Sequence, residues 1–163
     1  MRRAAFILAV LAGACGSDSA ANVAGTYTIA LTIQKNECGI VGNDPGTSAS
    51  GVTVEVTQDG SNVTAKVQGA AALGLVLGMG SATFTGTVSG NSLDLSISGT
   101  VSGSSSTCAF TRNARLVGTV SGDVITGRVT YTYATNKTSE CGTRDSCQDV
   151  QLLNGTRPPT VSR

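Results

Sequence analysis

Cysteine is the residue type with the clearest chemistry in this chain. The 163-residue sequence contains five cysteines and no histidine. Without histidine, the chain lacks the commonest general base and metal ligand. The serines and threonines carry no nucleophile motif, and the ten acidic residues are scattered along the sequence, so no nucleophile–base pair is recognisable. We therefore expect a protein that is not an enzyme and needs no cofactor, with a paired-carboxylate hydrolase as the weaker alternative.

The N-terminal residues have the pattern of an export signal. Met1-Arg2-Arg3 is positively charged, residues 4–11 are an unbroken apolar run, and Ala12-Gly13-Ala14 precedes Cys15. This order predicts a secretory signal peptide over residues 1–14. Residues 11–15 resemble the lipobox of bacterial lipoproteins, in which the cysteine is acylated and becomes the mature N-terminus. The sequence departs from that pattern because Ala12 stands where leucine is usual, and ordinary cleavage after Ala14 is the alternative.

The number of cysteines favours lipidation of Cys15. Five is an odd number, and an unpaired thiol is a liability in an oxidising compartment. Removal of Cys15 leaves an even set, for which we predict disulfides: Cys38, Cys108, Cys141 and Cys147. No C-x-x-C pair is present, so we expect no metal site. The lipoprotein resemblance and Gly16 after the cysteine imply a lipid anchor in the outer membrane, on its periplasmic face or at the cell surface.

Composition limits the rest of the chain to one domain with few charges. Eleven basic residues against ten acidic ones leave the chain almost neutral, which argues against a nucleic-acid partner. Residues 15–22 are small and polar after the cysteine and predict a flexible tether. We expect a single domain over residues 23–157 and a disordered tail over residues 158–163.

Apolar and polar residues alternate with a period of two from Val23 onward, which predicts strands. Eight such stretches occur, and no stretch shows helical periodicity. One of them, from about Thr107 to Ser121, is interrupted near Arg112-Asn113, which predicts a bulge or a break. The apolar sides of the other stretches carry no charged residue, and neither does the predicted interior. Gly86, Gly99, Gly118 and Gly127 also fall on the inward side, where they either leave open volume or relieve strand coiling.

Short and long connections alternate along the chain. Three tight turns contain Gly with Asn or Asp, near residues 58–61, 89–91 and 121–123, and four longer connections cover about 35–51, 69–80, 102–107 and 135–147. Successive turns of a meander fall at opposite ends. The pattern therefore predicts an all-β, eight-stranded, antiparallel up-and-down barrel, with a β-sandwich as the alternative. A transmembrane barrel would need aromatic girdles, and three Phe, three Tyr and no Trp cannot build them.

The meander opens with Gly25-Thr26-Tyr27, a glycine–x–aromatic step. In this respect the chain resembles the lipocalin and avidin-like (calycin) group, whose eight meandering strands enclose a ligand pocket. The resemblance implies a binding module for a small apolar molecule. Here a tyrosine stands where lipocalins usually have tryptophan.

Barrel closure suggests how the cysteines pair, since all four lie in or beside the long connections. The first and last strands become neighbours on closure, which places Cys38 near Cys147. The sixth and seventh strands are neighbours in sequence, which places Cys108 near Cys141. We predict these two disulfides, which staple the long-loop end. A local Cys141–Cys147 bond with Cys38–Cys108 is the rival pairing.

The connection over residues 69–80 is apolar throughout, although an exposed loop is usually polar. It can cap the open end of the barrel, form an apolar lip at a ligand cavity, or contact a membrane or a partner protein. Together with inward-facing strand residues it supplies the candidate ligand-binding set: Tyr27, Ile29, Phe84, Leu95, Tyr131, Tyr133, Leu73, Leu75 and Leu77. The function expected is a non-enzymatic envelope binding module. The alternative is a solid-core lipoprotein that presents its disulfide-pinned loops to an envelope protein.

Overall fold

Nine strands and one α-helix account for most of the chain in a computed structural model, which describes residues 19–40 and 42–159. The strands are β1 (Gly25–Asn36), β2 (Ser48–Asp59), β3 (Asn62–Val67), β4 (Thr83–Ser89), β5 (Ser92–Ile97), β6 (Ser102–Ser105), β7 (Cys108–Ser121), β8 (Val124–Thr135) and β9 (Asp149–Thr156). The helix, α1 (Gly69–Met79), lies between β3 and β4, and a 3₁₀ segment (Ser139–Asp145) lies between β8 and β9.

Eight of these strands form a closed antiparallel barrel. The order is β5-β4-β3-β2-β1-β9-β8-β7, and β5 pairs with β7 to close the cylinder. The first and last strands pair from Thr28 opposite Thr156 to Asn36 opposite Asp149. The predicted up-and-down barrel is therefore confirmed over the β-sandwich. The extra strand, β6, lies in the predicted 102–107 loop and pairs only with β7.

The two faces of each strand differ as the alternation predicts. On β5, for example, Leu93, Leu95 and Ile97 are buried while the residues between them are exposed. Polar side chains cover the outside, and the apolar side of the strands forms one core inside the barrel. Val101 lies outside this core and is 41% exposed, because β5 ends at Ile97.

The bulge or break predicted near Arg112-Asn113 is wrong for the pairing of β7 with β8. Strand β7 runs through these residues and keeps an unshifted register with β8, from Phe110 opposite Thr135 to Ser121 opposite Val124. On its other side, β7 exchanges one neighbour for another at this point. It pairs with β6 from Cys108 to Thr111 and with β5 from Ala114 to Thr119. Arg112 interrupts the apolar alternation because a charged side chain occupies an inward position, as described below.

Tight turns seal one end of the barrel. All three follow the predicted glycine-containing sequences, between β2 and β3, β4 and β5, and β7 and β8. Apolar side chains fill this sealed end: Val23, Val63, Val88 and Val120, each at most 3% exposed. Residues 19–22, assigned by composition to the end of the tether, lie against it. The Ala21 amide donates to the Gly90 carbonyl at 2.8 Å, and Ala20 and Ala21 pack on the core.

The expectation of a loop over residues 69–80 is wrong, because the segment is mainly helical. Alanine, leucine and methionine have high helix propensity, which favours α1 despite its two internal glycines. Apolar residues lie on both sides of this helix, so its sequence shows no amphipathic period. Gly80 ends the helix in the left-handed conformation (φ 83°) and donates its N–H to the Val76 carbonyl.

The four cysteines form the two disulfides that barrel closure predicted. Cys38 bonds to Cys147 across a sequence separation of 109 residues, and Cys108 bonds to Cys141 across 33. Both lie at the loop-rich end, beside the 3₁₀ segment that contains Cys141. The predicted signal peptide, the lipidation site Cys15 and most of the predicted C-terminal tail lie outside the described residues.

Candidate functional site

A cavity of about 360 Å³ occupies the barrel between the sealed end and α1. Its wall is mostly aliphatic and aromatic, contributed by the barrel strands, the helix and the β1–β2 connection. Ile40 and Asn43 close it from that connection, and Ala71, Leu75 and Met79 close it from α1. Of the two interpretations of the inward glycines, open volume is wrong, since Gly86, Gly99, Gly118 and Gly127 do not line the cavity. At Gly118, for example, an added Cβ would lie 2.6 Å from the Thr126 carbonyl oxygen of the neighbouring strand.

Most of the candidate ligand-binding residues line this cavity. They are Tyr27, Ile29, Phe84, Leu95, Tyr131 and Leu75. The other three do not: Leu73 and Leu77 lie on the outer side of α1, 60% and 69% exposed. Tyr133 packs edge-on against Phe110, with ring centroids 5.3 Å apart, above the cavity mouth. The two leucines were misplaced because a loop has no defined inner face, whereas a helix assigns each side chain to one side.

Tyr27 lies near the sealed end and is fully buried. Burial raises its pKa above the ordinary value, against an opposing effect of the Arg157 guanidinium. This guanidinium lies 5.5 Å from the Tyr27 ring centroid and donates to Asp123 Oδ1 at 2.9 Å. It also donates to the carbonyl of Ala24, so Arg157 ties the C-terminal end of β9 to the start of β1. The hydroxyl of Tyr27 is buried without a hydrogen-bond partner in the described structure.

An ion pair lies at the opposite, loop-rich end of the barrel. Arg112 Nη2 lies 3.4 Å from Asp149 Oδ2, and Asp149 is 1% exposed. The other carboxylate oxygen of Asp149 accepts the Cys38 N–H at 3.0 Å, next to the Cys38–Cys147 disulfide. The Arg112 guanidinium lies 4.7 Å from the Tyr131 ring centroid, and burial raises the pKa of Tyr131. The expectation of an interior without charge is therefore wrong.

Arg112 and Gln151 are the polar strand residues of the cavity wall that the sequence analysis missed. Both line the cavity. A signal for Arg112 was available, since it shares the parity of Ala114 and Leu116, which are buried on β7. Gln151 and Asp149 likewise share the parity of Leu153 on β9. At Arg112 the polar residue instead led to the prediction of a bulge or a break.

The cavity wall contains few polar side chains. Among the described residues, the polar side chains that line it are those of Tyr27, Asn43, Arg112, Tyr131 and Gln151. Within residues 19–40 and 42–159, no group of three or more His, Cys, Asp or Glu side chains could hold a metal ion. No helix in the same part of the chain is both long and apolar enough to cross a membrane.

The outer face of α1 is apolar and exposed. Leu73, Val76 and Leu77 are 60%, 44% and 69% exposed, and Val101 lies beside the end of the helix. The helix thus presents apolar side chains both to the cavity and to the outside. Contiguous exposed apolar residues of this kind are typical of interaction sites. In comparisons with known proteins, no family model, no curated protein and no solved structure matches the chain.

Proposed function

We propose that this domain is a non-enzymatic binding module that holds one small, largely apolar molecule in its barrel cavity beneath α1. The observation that supports the proposal is the cavity itself. Eight strands enclose an interior that side chains can fill completely, and here about 360 Å³ is left open. Small-molecule sites have volumes of roughly 300–1,000 Å³, with apolar walls and a few convergent polar groups.

The same proposal includes export and anchoring of the domain. Two disulfides suit an oxidising compartment, as expected for a secreted chain. With the signal-like residues 1–14, they support an envelope lipoprotein anchored to the outer membrane through acylated Cys15. Residues 19–22 lie at the sealed end of the barrel, so the anchor enters there and α1 faces away from the anchoring lipid.

Native mass spectrometry tests the proposal on the full chain with Cys15→Ser, exported to a bacterial periplasm and purified without reductant or detergent. We expect a mass that accounts for two disulfides plus a small apolar adduct. The stripped protein should then bind the fluorescent probe N-phenyl-1-naphthylamine with one site. A protein without adduct that also fails to bind the probe would refute the carrier function. The search would then turn to envelope proteins that contact α1 and the disulfide-pinned loops.

A matched pair of variants locates the binding site. Ala65 lines the cavity, whereas Ala134 lies on the outer face of β8. Ala65→Leu adds three carbon atoms to the cavity and should weaken binding of the probe, because the added side chain occupies its volume. Ala134→Leu adds the same atoms outside the barrel and should leave binding unchanged. Equal effects of the two substitutions would place the probe outside the cavity.

A further inference from the structure

Three buried polar atoms of residues that line the cavity lack hydrogen-bond partners in the described structure. One is the Tyr27 hydroxyl near the sealed end, and the other two are Nε of Arg112, a donor, and Oε1 of Gln151, an acceptor. Buried polar groups are nearly always hydrogen-bonded, so each exception calls for an explanation. An occupant that supplies one acceptor and one donor would satisfy the atoms of Arg112 and Gln151.

Arg112 and Gln151 lie together in the wall of a largely apolar chamber. Asp149, the partner of Arg112, is two residues before Gln151 on the same face of β9, which corresponds to about 7 Å along a strand. We call Arg112 and Gln151 the polar pole. The walls between the polar pole and the sealed end are aliphatic or aromatic. The arrangement suits a molecule with one polar end and an apolar body.

Taken together with Asp149, the polar pole carries no net charge. The guanidinium of Arg112 is the charged group among the described residues that line the cavity, and the Asp149 carboxylate behind it neutralises that charge at 3.4 Å. Asp149 cannot be displaced easily, since it also holds the Cys38 N–H. A carboxylate ligand would therefore bring an uncompensated negative charge into an apolar chamber, which is strongly unfavourable.

We propose that the ligand is an uncharged amphiphile whose single polar end both accepts and donates a hydrogen bond, as a hydroxyl or a primary amide does. Its acceptor takes the Arg112 Nε–H, and its donor binds Gln151 Oε1. The cavity volume of about 360 Å³ lies at the lower end of the roughly 300–1,000 Å³ that small-molecule sites occupy, so the ligand is small. This inference rests on the proposed carrier function and adds the chemical class of its ligand.

Four ten-carbon compounds test the class: decane, decan-1-ol, decanamide and decanoate. Each competes with N-phenyl-1-naphthylamine for the exported full chain with Cys15→Ser. The measured quantity is each compound's affinity in a variant divided by its affinity in the parent protein, because this ratio cancels the compound's own hydration. Decanamide should also bind more tightly than decanoate to the parent protein, since only decanoate brings a charge.

Gln151→Leu removes the acceptor of the polar pole without leaving a charge unpaired. It should weaken binding of decanol and decanamide about threefold to tenfold, the factor for one net hydrogen bond, and leave decane unaffected. Asn154→Leu makes a similar change on the exposed outer face of the same strand and should alter none of the affinities. The double variant Arg112→Met with Asp149→Leu tests the donor side in the same way.

The outcomes separate the two proposals. Tightest binding of decanoate, or equal responses of decane and decanol to Gln151→Leu, would overturn the uncharged-amphiphile class and leave the carrier function standing. Failure of all four compounds to displace the probe would overturn this inference, and failure of the probe itself to bind would overturn the carrier function as well.

Discussion

Removal of Arg112 alone should destabilise the domain far more than removal of the whole ion pair. At 3.4 Å and an effective dielectric constant of roughly 20, two unit charges attract by about 5 kcal/mol. Arg112→Met leaves the carboxylate of Asp149 buried with only the Cys38 N–H as partner. Breaking a buried pair in this way typically costs about 3–5 kcal/mol. In Arg112→Met with Asp149→Leu no charge is stranded, and we expect a loss of only about 1–2 kcal/mol, mainly from the unpaired Cys38 N–H.

Urea unfolding with the disulfides intact measures these differences in a double-mutant cycle. The exposed pair of Arg115 and Asp94 provides the control, because its Nη2–Oδ2 distance is 2.5 Å while its side chains are 64% and 49% exposed. Such surface pairs contribute little to stability, because water and salt screen them. A double variant as unstable as the sum of its single variants, or a coupling energy no larger than that of the surface pair, would refute the buried-pair argument.

Three further predictions concern stability. Replacing Cys38 and Cys147 by serine should lower the free energy of unfolding by about 4.8 kcal/mol, and replacing Cys108 and Cys141 should lower it by about 3.7 kcal/mol. The first loss is larger because that disulfide closes a loop of 109 residues in the unfolded chain, against 33 for the second. Urea unfolding of both serine pairs checks the order. Gly118→Ala should destabilise by about 1–3 kcal/mol, because the new Cβ meets backbone at 2.6 Å. Gly74→Ala on α1 should instead stabilise the domain by about 0.5–1 kcal/mol, because no atom lies within 4 Å of the added Cβ. Equal effects of the two substitutions in thermal unfolding would contradict the close strand contact at Gly118. Burial raises the pKa of Tyr131 above 10.0, so the folded domain keeps a proton that the unfolded chain loses at alkaline pH. This contribution to stability should be complete below pH 10 and should be lost as the pH rises further. Urea titrations at several pH values should show a smaller loss in Tyr131→Phe.

The strands were predictable because their signal is local. A buried face on a β-strand requires apolar residues at every second position, and Leu93, Leu95 and Ile97 show this without reference to any other part of the chain. The tight turns were predictable for the same reason, since their backbone conformation selects glycine. Gly60, for example, has φ 58° between β2 and β3.

The helix and the polar pole were not predictable by that reasoning. The sequence of α1 shows no helical period, because both the side that faces the cavity and the exposed side carry apolar residues. Arg112 and Asp149 break the strand pattern at inward positions. Such residues are tolerated inside only when a partner from another strand neutralises them. That partner is 37 residues away in sequence, so neither residue reveals the pair by itself.

The sequence by itself determined the β class, the number of barrel strands, the two ends of the meander and the cysteine pairing, because each follows from local spacing together with barrel closure. Tertiary structure alone decided whether the interior is solid or hollow. That outcome depends on how side chains such as Phe84 and Leu75 fill a shared volume, and volumes add up only when distant strands and α1 are brought together. It likewise decided that Arg112 and Gln151 face the same chamber, since the closure of the barrel sets which inward positions meet.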